Sequence, residues 1–140
     1  MNDQQIEQEI QAKGLTAPRV TPDDVAANIA YEAYFTAANG VKGATECNIT
    51  KGPLDLLTFC VLVLRNGFTV TGESACASPE NFDAELGRKI ARENAINKVW
   101  PLMGYALKER LHKQSQLSPT HYTTHPDGSF TVADPQPVVL

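Results

Sequence analysis

The sequence predicts an α+β fold: an antiparallel β-hairpin packed with an N-terminal helix and a long C-terminal helix kinked at a proline, with room for an extra hairpin near the C-terminus. Three observations carry this. Asn66-Gly67 stands between an apolar run, 54–65, and an alternating stretch from Phe68, and both residues tolerate the positive φ of a two-residue hairpin turn. Thr21-Pro22-Asp23-Asp24 and Ser78-Pro79-Glu80 each combine a capping hydroxyl, a proline suited to the first helical position and carboxylates that favour the positive helix end. The segment after Ser78 then keeps apolar residues at helical spacing as far as Trp100.

In chain order, 2–13 reads as a short helix, with Ile6 and Ile10 one turn apart and Gly14 as its stop. It has little to bury, and 15–20, containing Pro18, reads as a linker, so 1–20 is expected to be a flexible segment. The Thr21 start predicts a helix to about Ala38, ended by Asn39-Gly40, with Val25, Ile29 and Phe35 on its buried side and Tyr31 and Tyr34 at its edges. Residues 41–53 read as a polar loop. Residues 54–65 are apolar almost throughout, so periodicity does not separate a buried strand from a buried helix. The β-formers Thr58, Phe59, Val61 and Val63 favour a strand. Next, Phe68, Val70 and Gly72 alternate with Thr69, Thr71 and Glu73, the pattern of a half-buried strand.

The Ser78 helix is expected to reach Val99 or Trp100, where Pro101 kinks or breaks it, followed by a short helix over 102–112. It carries two apolar rows and so predicts two neighbours. Phe82, Leu86 and Ile90 form one, assigned to the hairpin; Ala91, Ala95 and Val99 form the other, open to the N-terminal helix or to a second subunit. A two-stranded sheet is marginal alone, so the hairpin needs further partners. His125-Pro126-Asp127-Gly128 is a turn signal between β-like stretches at 121–124 and 129–132. The expected organisation is thus one α+β domain over 21–112, with a C-terminal extension, 113–140, that holds the small hairpin.

The net charge of −4, from 12 basic and 16 acidic residues, has the wrong sign for a whole-chain nucleic-acid binder, so nucleic acid is not an expected partner. The longest apolar run, 56–64, is far below the ~20 residues of a membrane helix. The N-terminus, with Glu7 and Glu9, lacks the basic and apolar regions of a signal peptide. The odd cysteine count, Cys47, Cys60 and Cys76, fits a reducing cytoplasm better than a disulfide framework.

Glu85, Arg88, Lys89, Arg92 and Glu93 cluster within two turns of one helix. Arginine forks match phosphate and carboxylate oxygens, which makes this a candidate anion patch; the plainer reading is a solvated face with pairs such as Glu85–Lys89. The exit from the second strand, Gly72-Glu73-Ser74-Ala75-Cys76, leads to a helix start and could likewise meet an anion, though a glycine bend and a cap also explain it. Asn81 and Asp83 suit the first helical turn, with or without a ligand. Ser74 and Cys76 lack any sequence pattern tying them to His112, His121 or His125, so no catalytic set is expected. No C-x-x-C pair or helical His pair points to a metal, and no cofactor motif is present. Trp100, with Leu102, Met103 and Tyr105, reads as core closure at the proline or as an aromatic anchor for a partner.

Asn66-Gly67-Phe68, Gly72 to Cys76, Ser78-Pro79-Glu80-Asn81-Phe82-Asp83, Gly87-Arg88-Lys89-Ile90-Ala91 and Trp100-Pro101-Leu102-Met103-Gly104-Tyr105 together resemble a family of tailed-phage and prophage proteins, labelled gp-forty-nine or gene-sixty-six-like. The resemblance spans about 21–111 and implies a genomic setting without an assigned activity. It implies an accessory protein that works by binding in the host cytoplasm: a host protein, or a small nucleotide-like anion sequestered by a homo-oligomer. Candidate ligand-binding residues are then Glu73, Ser74, Asn81, Glu85, Arg88, Lys89 and Arg92, and candidate interface residues Ala91, Ala95, Val99 and Trp100. A structural or assembly role in the phage particle is the alternative.

Overall fold

The computed structural model describes residues 2–15, 17–45, 52–117 and 122–132. The chain forms two compact units, 1–103 and 104–140. The first contains α1 (Asp3–Ala12), α2 (Pro22–Asn28), β1 (Ile29–Thr36), α3 (Ala37–Thr45), β2 (Leu57–Leu64), β3 (Thr69–Ala75) and the start of α4 (Ala84–Leu117). Single turns of 3₁₀ helix at Pro53–Leu56 and Pro79–Asn81 lead into β2 and toward α4. The sheet is antiparallel with order β1-β2-β3.

The hairpin reading of 54–65 holds: β2 and β3 pair from Leu57↔Ala75 to Val63↔Thr69, and Gly67 adopts φ +88° in the turn. Period-two burial follows. On the face toward α4, Thr58, Cys60, Leu62, Leu64, Val70 and Gly72 are buried. On the other face, Leu57, Phe59, Val61 and Val63 are half-buried and Thr69, Thr71 and Glu73 exposed. Phe68 falls outside the strand and is exposed.

α4 crosses the covered face with its small residues inward. Ala91, Ala95 and Val99 are completely buried and join Val25, Cys60, Leu62, Leu64 and Val70 in one core. Gly72 makes this possible, because a Cβ there would lie 2.1 Å from the Ala91 carbonyl oxygen and 2.3 Å from the Ala95 nitrogen. Glycine in a strand often marks such a close backbone approach. The roles expected of the two helix rows are therefore exchanged. The large row is on the outside, with Leu86 53% and Ile90 41% exposed, and the small row, offered as a subunit interface, is used up within the chain.

Other expectations change as well. The helix expected over 21–38 ends at Asn28, and Ile29–Thr36 is a strand on the free edge of β2. The apolar β2 needed pairing on both edges, and this segment supplies it. Asn39-Gly40 does not stop a helix but sits inside α3: Thr36 Oγ1 accepts from the Asn39 amide at 3.1 Å while Asn39 Oδ1 accepts from the Thr36 amide at 2.9 Å, a reciprocal cap that starts one. The expected loop over 41–53 accordingly begins as helix, and 46–51 lie outside the described residues. Ser78 does not cap α4. Phe82 is extended (φ −70°, ψ 123°), and Asp83 Oδ1 accepts from the Leu86 amide at 3.1 Å instead. Nor does Pro101 break the helix, which is continuous from Ala84 to Leu117. The amide missing at Pro101 leaves its partner carbonyl on Asn97, an exposed residue where water can replace it.

α1, the short helix expected over 2–13, is capped by Asn2, with Gln5 closing the reciprocal pair. It is tied to the linker by two Glu7–Arg19 hydrogen bonds of 2.5 and 2.6 Å. Those bonds, with help from Gln11, hold the Glu7 carboxyl down to about 2. In the second unit, β4 (Tyr122–Thr124) pairs antiparallel with β5 (Phe130–Val132), as the turn signal predicts, and Gly128 takes φ +86° in the turn. His121 lies outside the described residues.

Candidate functional site

The proposed anion patch on α4 is divided by the fold. Arg92 turns inward to β1: its Nε and Nη2 each lie 2.9 Å from Glu32 Oε1, and Tyr34 donates to Glu32 Oε2 at 2.7 Å. Arg92 holds the Glu32 carboxyl below its usual range, assisted by Tyr34 and opposed by burial. Burial, then the hydrogen bond to Glu32, raises the Tyr34 hydroxyl, and burial raises the Cys60 thiol beneath it. This half-buried network satisfies its own charges and offers no free cation.

Arg88, one turn earlier, is exposed and has no carboxylate partner among the described residues. It lines a narrow cleft of about 100 Å³ with Tyr34, Phe35, Thr36, Asn39, Thr58, Phe82 and Ala84. Thr36, Thr58 and Ser74 are directly opposed on the three strands, so their hydroxyls form a polar row across the sheet. Gly87 passes over it; a Cβ there would come within 3.2 Å of Thr58 Oγ1. Sequence reasoning singled out Ser74 and Arg88 and missed Thr36, Asn39 and Thr58. The signal was present in the strand register, which could not be drawn while 29–36 read as helix.

The other candidates scatter. Glu73 is exposed on the opposite sheet face, and its carbonyl accepts from Asn94 Nδ2 at 2.8 Å. Asn81 is exposed in the 3₁₀ turn. Glu85 and Lys89 form a mostly exposed pair at 3.5 Å, the solvated-face reading, which contributes a few tenths of a kcal/mol, roughly. Trp100 is half-buried against the core and lines a cleft of about 250 Å³ with Ile6, Ile10, Val20 and Pro22, so it closes the core beneath α1. Cys76 Sγ lies 3.1 Å from the Ser78 carbonyl. Among the described residues, no three His, Cys, Asp or Glu side chains gather to hold a metal ion, and no helix is long and apolar enough to cross a membrane.

A wider cleft, of about 560 Å³, lies between the two 3₁₀ turns, lined by Gly52, Pro53, Asp55, Leu56, Ala77, Pro79 and Phe82. Its lining is mainly apolar. Leu54 is exposed on the first turn, and Leu86 and Ile90 are exposed on α4. Further apolar exposure lies on the open sheet face at Tyr31 and at Phe35, whose ring stacks on Phe59 at 5.4 Å.

Residues 20–111 match the family model described as Phage protein (N4 Gp49/phage Sf6 gene 66) family. That span takes in α2, the whole sheet, α3 and α4 as far as residue 111. Compared with curated proteins and with solved structures, the chain finds no match.

Proposed function

We propose, from the premise that the chain belongs to the N4 Gp49/phage Sf6 gene 66 family of phage proteins, that it is a non-enzymatic accessory protein acting in the host cytoplasm by binding a host protein and so interfering with a host process. The observation that carries this reading is the uncovered apolar surface: the 560 Å³ cleft lined by Leu56, Pro79 and Phe82, and the exposed Leu86 and Ile90 on α4. Exposed apolar surface on a small domain commonly marks an interaction site, and aliphatic and aromatic side chains seated in a partner's pockets supply most of the binding energy at such sites. Capture of a nucleotide-like anion by one chain has less support. Arg92 is engaged by Glu32, and the Arg88 cleft, about 100 Å³, is well under the ~300 Å³ at which small-molecule sites begin.

The test is affinity purification from host cells of the wild-type protein and of the Leu86→Glu/Ile90→Glu variant, together with peptide mass spectrometry of purified virions. The reading expects a host protein retained in stoichiometric amount by the wild type and lost from the variant, and no copy of the chain in virions. Retention that the variant does not alter would remove the proposed surface. A structural copy number in virions would replace the reading with an assembly role.

A further inference from the structure

We infer that the start of α4 and the sheet beneath it form a binding site for one phosphate-sized oxyanion, held by Arg88 and the Thr58 hydroxyl. The inference stands apart from the apolar surface and does not depend on it.

Thr58 is 3% exposed, and its hydroxyl makes no hydrogen bond to any described residue. No side-chain oxygen or nitrogen of the described residues is both sealed from solvent and unsatisfied. The Thr58 oxygen is therefore open to solvent, and Thr58 lines the 100 Å³ cleft. With no partner inside the chain, the hydrogen bonds of this hydroxyl are left to what enters the cleft, water or a ligand.

The rest of the lining supplies donors. Arg88 brings a guanidinium without a carboxylate partner, unlike Arg19 and Arg92. Asn39 has its Oδ1 occupied by Thr36, which leaves its Nδ2 to donate. The amides of Ala84 and Glu85 precede the first bonds of α4, made by Leu86 to Asp83 Oδ1 and by Gly87 to the Asp83 carbonyl. Two carboxylates are near in sequence, but Asp83 is engaged at the cap and Glu85 pairs with Lys89, and neither lines the cleft. Guanidinium, hydroxyl, amide and helix end together match the oxygens of a phosphate group. Gly87 completes the geometry, since a side chain there would press on the Thr58 hydroxyl.

The test is titration of the full chain with inorganic phosphate at fixed ionic strength, followed through backbone amide resonances. The expected result is saturable shifts at Thr58, Ala84 and Arg88, with affinity reduced at least tenfold in Arg88→Gln and in Thr58→Val and unchanged in Lys89→Gln. Shifts that chloride reproduces, or that persist in Arg88→Gln, would overturn the site. Arg88 is exposed, so that variant decides the matter even if Thr58→Val fails to fold.

Discussion

A single methyl group separates this packing from a different one. At Gly72 the built Cβ overlaps backbone atoms of Ala91 and Ala95, which cannot turn aside as a flexible side chain can. Gly72→Ala must therefore push α4 off the sheet or bend β3. Overpacking of this kind typically costs 1–3 kcal/mol, and with helix backbone as the obstacle we expect about 3 kcal/mol in urea denaturation. A change below about 0.5 kcal/mol would mean that the helix is not seated as described. Glu32 makes a second prediction at this scale. Its folded carboxyl lies below the ordinary value because Arg92 and Tyr34 bond the charged form. The resulting stability is fully present above the unfolded carboxylate range and is lost as pH falls through the folded value. Both side chains are about a third exposed, so the contribution is near 1 kcal/mol, roughly. In Glu32→Gln the acid-side decline below about pH 4.5 should be shallower. An identical pH profile of melting temperature in wild type and variant would remove the linkage.

Among the elements, β1 shows why local pattern was insufficient. Ile29, Ala33 and Phe35 are compatible with a helix face, and the Thr21 cap does start one. What ends it at Asn28 is the pairing available on β2, from Ile29↔Leu64 to Thr36↔Thr58, and the Thr36–Asn39 cap of the following helix. Propensity amounts to a few tenths of a kcal/mol per residue, roughly, and a sheet edge outweighs it. β3 is an outer strand, and α4 guards it: Asn94 Nδ2 donates to the Glu73 carbonyl at 2.8 Å and Lys98 Nζ to the Thr71 carbonyl at 2.7 Å. Unpaired strand edges recruit other chains. Asn94→Ala/Lys98→Ala should keep the fold and lose about 1–2 kcal/mol. It should also aggregate faster than wild type by light scattering at equal concentration. Equal aggregation rates would show that these two side chains do not protect the edge.

For the molecule as a whole, the exchange of the two helix rows decides where its surface is. If Leu86 and Ile90 packed on the hairpin, charged replacements would unfold the protein. Since both are exposed, Leu86→Glu/Ile90→Glu should change stability by no more than about 0.5 kcal/mol while removing the proposed partner contact. Circular dichroism and denaturant midpoints check the first half. A variant that unfolds would return the large row to the core and withdraw the surface with it.

By itself the sequence determined the fold class, the β2–β3 hairpin, the two helix-rich ends, the small terminal hairpin and the phage family. Each is written in local signals, such as Asn66-Gly67, the Thr21 cap and the 125–128 turn, or in contiguous motifs. Only the tertiary structure decided that 29–36 is a strand, that the alanine row faces inward, that Arg92 is taken by Glu32, and that Thr36 and Thr58, paired across two strands, line one cleft with Arg88. The physical reason is common to all four. Each depends on a partner distant in the chain: Leu64 for Ile29, Gly72 for Ala91, Glu32 for Arg92, Thr36 for Thr58. Local spacing fixes what a segment can become, and long-range pairing selects which of those forms it takes.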